Sequence, residues 1–265
     1  PVCTFFEAYW QDKFSNNVLP LRVGYDVATI NQVMDVIEEL SSCREYTKAS
    51  PFVVLLGKGD HELISGTSGT MDSNSLFITC NNIVFLGKGI DTTTILGGFY
   101  IVNFENITFK QLTVTNTNTD GCGIYIDNSE VEIVDVAIKR CRDNGLTVHS
   151  DENLEEKEQV VLTRCQFIEN GTGISANSLS NIKMTDCIVR DNEDYGMFIT
   201  EKSTVHVHGE ATAIHSNKWY GIDACDLSKV RIHLPLHHNT TYNNGGEEGE
   251  EEDNRNTDTG GTIVN

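Results

Sequence analysis

Histidine, arginine and aromatic residues fall at two spacings that could do chemistry in the last third of the chain. His206 and His208 alternate with Val205 and Val207, and Arg231 and His233 alternate with Val230 and Ile232. In a strand this alternation sends each polar pair to the face opposite its apolar neighbours. Imidazoles so placed can bind a metal, meet a partner, or simply tile a strand. No carboxylate or cysteine is positioned to complete a ligand set, so the sequence implies no metal and no other cofactor here. His237 and His238 read the same way near a bend. Tyr195, Trp219 and Tyr220 form a second group, whose flat rings can stack on sugars, anchor a protein, or pack loops against the wall. Asp186, Arg190 and Asp191 form a third, with Arg140, Arg142 and Asp143 upstream. Its plain reading is solvated turn charge.

These groups are held by a repeat. Ile107-x-Phe109-xx-Leu112-x-Val114 recurs as Val131-x-Ile133-xx-Val136-x-Ile138, Val160-x-Leu162-xx-Cys165-x-Phe167 and Ile182-x-Met184-xx-Cys187-x-Val189. A fifth copy opens at Val205-x-Val207, with two extra residues before Ile214, and a sixth at Val230-x-Ile232. The last apolar position falls at 114, 138, 167, 189 and 214, in steps of 24, 29, 22 and 25 residues. A period of this size marks a solenoid, whose units bury their apolar faces only by stacking. Each copy is too short for two helices and holds two or three strand-like runs, so the expected architecture is an all-β parallel β-helix of at least six coils. His208 should then stack beside His233, and His206 beside Arg231. Asn170, Asn192 and Asn217 follow the repeat's hydrophobes at bends, where Asn tolerates left-handed geometry and can hydrogen-bond turn backbone in the next coil. Gly173, Gly196 and Gly221 reopen the chain into the next strand, where a tight bend is expected.

Outside the repeat, residues 26–43 show helical spacing of Ile30, Val33, Val36, Ile37 and Leu40 with Asp26 as N-cap, which predicts a helix capping the first coil. The organisation reads as an N-terminal segment (1–49), a solenoid (50–245), and an acidic flexible loop with a terminal strand (246–265). The insertion 151–159 reads as a solvated loop.

Thirty-nine acidic residues against 19 basic ones give a net charge of −20 over 265 residues. Such a chain repels nucleic-acid phosphates and anionic membranes. The longest apolar run, Phe52 to Leu56, is far below the roughly 20 residues of a membrane-spanning helix. Eight cysteines lack any CxxC pair, and Cys165 and Cys187 occupy inward positions. Buried free thiols are expected, with a lean toward a reducing, intracellular setting. Of the sequons at Asn106, Asn170 and Asn239, the one at Asn170 falls on an inward bend residue, where a glycan would break the stack.

The runs "FLGKGIDTTTILGG" (85–98), "NGTGI" and "NKWYGI" resemble the right-handed β-helix superfamily over about residues 50–245. That group includes pectate-lyase-like enzymes, phage tailspikes and the substrate-facing repeats of F-box proteins. "VHVHGEATAIHSNKWYGI" and "VRIHLPLHHNTTYNNGG" are most similar to repeat proteins of algae and their large DNA viruses. For a pectate-lyase-like enzyme the resemblance implies clustered carboxylates holding calcium and an Arg or Lys that takes the proton α to a uronate carboxylate. Asp186, Arg190 and Asp191 would be that patch. The expected function is non-enzymatic recognition or structural assembly, with a lateral face binding protein or glycan. The alternative is a polysaccharide lyase, hydrolase or epimerase.

Overall fold

A computed structural model describes residues 20–41, 45–63, 74–151, 159–235, 238–245 and 254–265. His237, Cys3, Cys43, residues 152–158 of the expected loop and the acidic run 246–253 lie outside the described residues.

All pairings between the named strands are parallel, and they form three lateral stacks. The first runs Leu21–Val23, Phe52–Leu56, Ile83–Leu86, Ile107–Thr115, Val131–Lys139, Val160–Thr163, Asn181–Thr185, Thr204–His208, Lys229–Ile232 and Thr262–Val264. The second shares the long strands Ile107–Thr115 and Val131–Lys139, then continues through Gln166–Ile168, Ile188–Arg190, Ala213–His215 and Thr241–Tyr242. The third runs Ser75–Phe77, Gly98–Val102, Ile124–Asp127, Leu146–His149, Ile174–Ala176, Met197–Ile199, Ile222–Ala224 and Arg255–Thr257. The architecture is the expected parallel β-helix. Every apolar position of the repeat, from Ile107 to Ile232, is at most 3% exposed.

The stack begins earlier and ends later than residues 50–245. Leu21–Val23 already pairs with Phe52–Leu56, so the helix is inserted after the first strand. Arg255–Thr257 and Thr262–Val264 add a final coil. The helix itself is shorter than expected, Gln32–Ser41. Gln32 accepts at Oε1 from the backbone N–H of Ala28 and Thr29, which makes Thr29-Ile-Asn-Gln32 the capping segment. Asp26 instead takes hydrogen bonds from the Arg22 backbone and guanidinium and closes the preceding turn. Ile30, Val33, Met34 and Ile37 are buried, and Thr79 donates to the Met34 sulfur, so the helix lies against the first coils.

The corners carry the chain's strain. Gln111, Asp135, Arg164 and Asp186 have positive φ at the bend between the first and second stacks. Glu169, Asp191, Ser216 and Asn243 do so at the bend after the second. The left-handed residue is therefore the one before each repeated asparagine, while the asparagines make the expected bonds to the turn backbone of the adjoining coil. Each is buried and hands its amide along the solenoid: Asn170 Nδ2 donates to Asn192 Oδ1 (3.2 Å), Asn192 to Asn217 (2.7 Å), Asn217 to Asn244 (2.8 Å) and Asn244 to Asn254 (2.9 Å). The same oxygens accept backbone N–H groups, as Asn192 Oδ1 does from Asn170 N. The glycines beside this ladder are fixed by proximity and not by a tight bend. A methyl on Gly196 would sit 2.5 Å from the Gly221 carbonyl and 2.7 Å from Asn217 Nδ2.

Cys165 and Cys187 are fully buried free thiols on adjacent coils. Cys165 donates to the Ile133 carbonyl at 3.2 Å, and Cys187 to Thr185. Burial holds the Cys165 thiol well above its ordinary range and pushes Cys141 up to about 12. The thiolate is the reactive form. In the native protein at pH 8, Cys141 and Cys165 should resist alkylation until denaturant is added, and mass spectrometry without reductant should find no Cys165–Cys187 bridge. Asn192→Ala strands two donors of Asn170 inside the wall and should lower unfolding free energy by about 2–4 kcal/mol in urea titrations. Phe167→Ala, which empties core volume, should cost about 3–5 kcal/mol in the same assay.

Candidate functional site

The residues singled out from the sequence fall on three different walls. His206, His208, His233 and Arg231 lie on the outer side of the first stack, where His206 is the register partner of both Lys183 and Arg231. The expected neighbours meet: the His208 and His233 rings stack at 4.2 Å between centroids, 1° from parallel. A closer polar contact was not foreseen, since His206 Nδ1 and His233 Nε2 are 2.9 Å apart. Sequence offset placed His206 beside Arg231, and the backbone register agrees, yet the diagonal imidazole is within reach.

The charged patch does not assemble as one site. Arg190 pairs with the adjacent Asp191. Asp186 sits at a different corner, accepts from the Ala211 backbone N–H at 3.3 Å, and lies near Arg164. Arg164 is itself held in a two-point contact by Asp135 at 2.6 and 2.8 Å. Arg140 pairs with Glu169. His215 stands beside Arg190 and stacks on Tyr242 at 4.7 Å; burial lowers its pKa. Arg190, Arg164 and Arg140 are thus corner charges, each paired with its own carboxylate.

Tyr195, Trp219 and Tyr220 edge the third stack. Tyr195 contacts Trp219 edge-on at 5.4 Å, Phe198 at 5.1 Å and Tyr220 at 6.3 Å. Trp219 remains half exposed. They are thus separated from the histidines by a corner, although the sequence put both groups on adjacent coils.

The third stack also carries a row that sequence reading missed. One register position on successive coils reads Phe77, Tyr100, Tyr125, Thr147, Ser175, Phe198, Asp223 and Asn256. The flanking residues of the strands before the last, such as Ile124 and Ile126 around Tyr125, are buried, so this row points away from the core, although Thr147, Ser175 and Asp223 within it are themselves covered. Phe77 meets Tyr100 at 5.0 Å, Tyr100 stacks on Tyr125 at 4.6 Å and 3°, and Tyr125 approaches His149 at 5.5 Å. The alternation was visible in "GFYIV" and "GIYID". The hidden fact was that these strands stack.

Beyond the tyrosines lies a polar cluster. Asn177 Nδ2 is 3.3 Å from His149 Nε2, and an amide N–H can only donate, so that nitrogen accepts. Asp127, the register partner of His149, has an enclosed Oδ1 without a partner. Burial and the nearby Asp151 raise its pKa, and His149 opposes them. Burial, with Tyr100 and Asp127 adding to it, pushes the Tyr125 phenol up to about 12. Asp223 is also raised by burial, while a 3.0 Å bond from Asn256 works against the shift. A separate cavity of about 380 Å³ lies on the first stack, lined by Lys48, Lys110, Glu130, Glu132 and Gln159 among others. Its charges are partly spent on a 3.0 Å Lys110–Glu132 bridge, and no aromatic ring lines it.

The family described as "Right handed beta helix region" matches residues 97–259. No curated protein matches the chain. Among solved structures, pectate lyase Pel9A is 12% identical with a TM-score of 0.56, and the match covers 96% of this chain and 81% of that one. ORF18 of Geobacillus virus E2 is 9% identical with a TM-score of 0.44; the match covers 96% of this chain and spans 61% of that protein's length. The A-module of mannuronan C-5 epimerase AlgE4 from Azotobacter vinelandii is 14% identical with a TM-score of 0.36, covering 82% and 74%. At such identities the likeness reports fold alone.

The raised carboxyl of Asp127 makes a testable contribution to stability. A carboxyl with a higher pKa folded than unfolded binds its proton more tightly when folded, so stability falls as pH rises from the ordinary aspartate value, 3.8, through the raised one. Asp127→Asn cannot ionise. It should melt above the parent protein at pH 7, and the two melting curves should converge near pH 3.

Proposed function

The chain belongs to the right handed beta helix region family, and on that premise we propose that it is a glycan-recognition protein that binds along the outer side of its third strand stack. One observation carries this reading. In the outward row, Thr147 and Ser175 lie between the Tyr100–Tyr125 pair and Phe198 with its neighbour Tyr195. Three steps of the ordinary strand spacing put Tyr125 and Phe198 about 14 Å apart. The result is a low stretch between two aromatic platforms, where Thr147 and Ser175 are largely covered, at 6% and 7% exposed, and the half-buried rings on either side are spaced for a short run of sugar rings.

The chemistry suits a saccharide. Aromatic faces pack against the C–H faces of pyranose rings. Hydroxyls of the ligand find acceptors and donors in the half-buried Asp127, His149 and Asn177. Trp219 and Tyr220 extend the platform at one end. A rigid solenoid orders little on binding, which favours affinity from few contacts. The net charge of −20 repels polyanions, so neutral oligosaccharides are the expected class.

A second reading is an enzyme acting on the same ligand class. It is favoured by Asp127, a carboxyl held toward its protonated form beside Asp151, His149 and the Tyr125 phenol. Such a group can serve as a general acid.

Binding should be screened on a panel of neutral and uronate oligosaccharides, then quantified by calorimetry for the strongest hit. Tyr125→Ala and Phe198→Ala should each weaken affinity about tenfold or more, equivalent to about 1.4 kcal/mol, without lowering the melting temperature by more than a few degrees. Turnover of a bound glycan that disappears in Asp127→Asn would move the assignment to the enzyme. Saturable binding that ignores both aromatic substitutions would sink the third-stack site.

A further inference from the structure

We propose that His206, His208 and His233 form a binding site for a divalent transition-metal ion of the zinc and copper class, on the outer wall of the first stack. Among the described residues this is the one place where three potential ligand atoms lie within 4.8 Å of one another. The three imidazoles come from two adjacent strands, Thr204–His208 and the chain leaving Lys229–Ile232, and the His233 backbone N–H donates to the Val207 carbonyl at 2.8 Å. The sheet ladder therefore holds their Cα atoms in place.

The nitrogen spacing fits. Zinc takes imidazole nitrogen at about 2.0–2.1 Å, which puts two nitrogens on one tetrahedral ion roughly 3.3 Å apart, so the His206–His233 pair needs to open by only about 0.4 Å. His206 Nδ1 and His233 Nε2 already stand at 2.9 Å, with their rings 8° from parallel. An ion between them replaces the shared proton of that contact. His208 stacks on His233, so its lone pair lies in a parallel plane, and a turn about its Cβ–Cγ bond is needed to bring it in. That torsion is broad for histidine. Three protein nitrogens leave at least one coordination position for water or an outside donor.

The charges around the site cut both ways. Lys183 and Arg231 flank His206 on the neighbouring strands and oppose a dication. The chain's net charge of −20 attracts one. Imidazole is a ligand for borderline metals such as zinc, copper and nickel, whereas calcium and magnesium prefer oxygen, so the site discriminates by donor type. Its position is independent of the aromatic wall, separated from it by a corner of the coil.

The test is a calorimetric titration of zinc chloride into the chelator-treated full chain at neutral pH. One equivalent should bind with a Kd of about 10 μM or tighter, and the melting temperature should rise with free zinc as mass action requires. His206→Ala and His233→Ala should each weaken binding at least about tenfold, with unchanged circular dichroism. His206→Gln, which keeps the side-chain bulk, should behave as His206→Ala does. Copper(II) loaded at the same stoichiometry should give an electron paramagnetic resonance spectrum with nitrogen superhyperfine structure that is lost in the double variant. Absence of saturable zinc binding, or one equivalent retained at full affinity in His206→Ala/His233→Ala, overturns the proposal.

Discussion

Everything in this molecule depends on one condition: the buried polar groups of a coil's bends find their partners chiefly in the coils above and below it. Asn192 shows the condition most fully. Its side-chain oxygen satisfies the Asn170 backbone and side chain on one side, and its nitrogen reaches Asn217 on the other. Removing any member leaves a buried donor without water or protein to meet it, a cost larger than the bond it made. The same column sets the glycines, because Gly173, Gly196 and Gly221 leave room for the amides. A chain under this constraint cannot shift register by one residue without turning its apolar row outward.

Strain at the corners is the counterpart. Three bends per coil place Glu, Asp, Arg, Ser and even Leu179 and Leu227 in left-handed geometry, at about 1–2 kcal/mol each for a non-glycine residue. Burial of the inward rows, including the Phe85–Phe99–Phe109 cluster with centroids 4.7–5.3 Å apart, outweighs this. Because the corners are fixed by what stacks behind them, residue type there is nearly free. Charged corners such as Arg164–Asp135 and Arg140–Glu169 therefore pair across coils. Exposed pairs of this kind contribute little to stability.

A solenoid turns function into a matter of columns. Outward residues at one register position form a row with a repeat near 4.8 Å, and each of the three walls has its own. The first wall gathers imidazoles, the second charges and the His215–Tyr242 stack, the third aromatic rings and half-buried carboxyls. Two different ligand chemistries can thus coexist on a chain of one fold, as fold alone never selects activity.

The inward rows, the coil period and the meeting of His208 with His233 are legible in the chain, because apolar alternation and repeat offset are local quantities that in-register stacking carries directly into space. Local pattern also marked the helix and the buried thiols, though it misplaced the N-cap, since Asp26 and Thr29 are equally good candidates until Gln32 is seen to reach back. Which wall each outward residue occupies emerges from the folded coil alone. That depends on the φ reversals at corners such as Glu169 and Ser178, where the residue type does not announce the geometry. Hence Trp219 and His208 looked adjacent and are not, while Tyr100, Tyr125 and His149, spread over 50 residues, form one continuous stack.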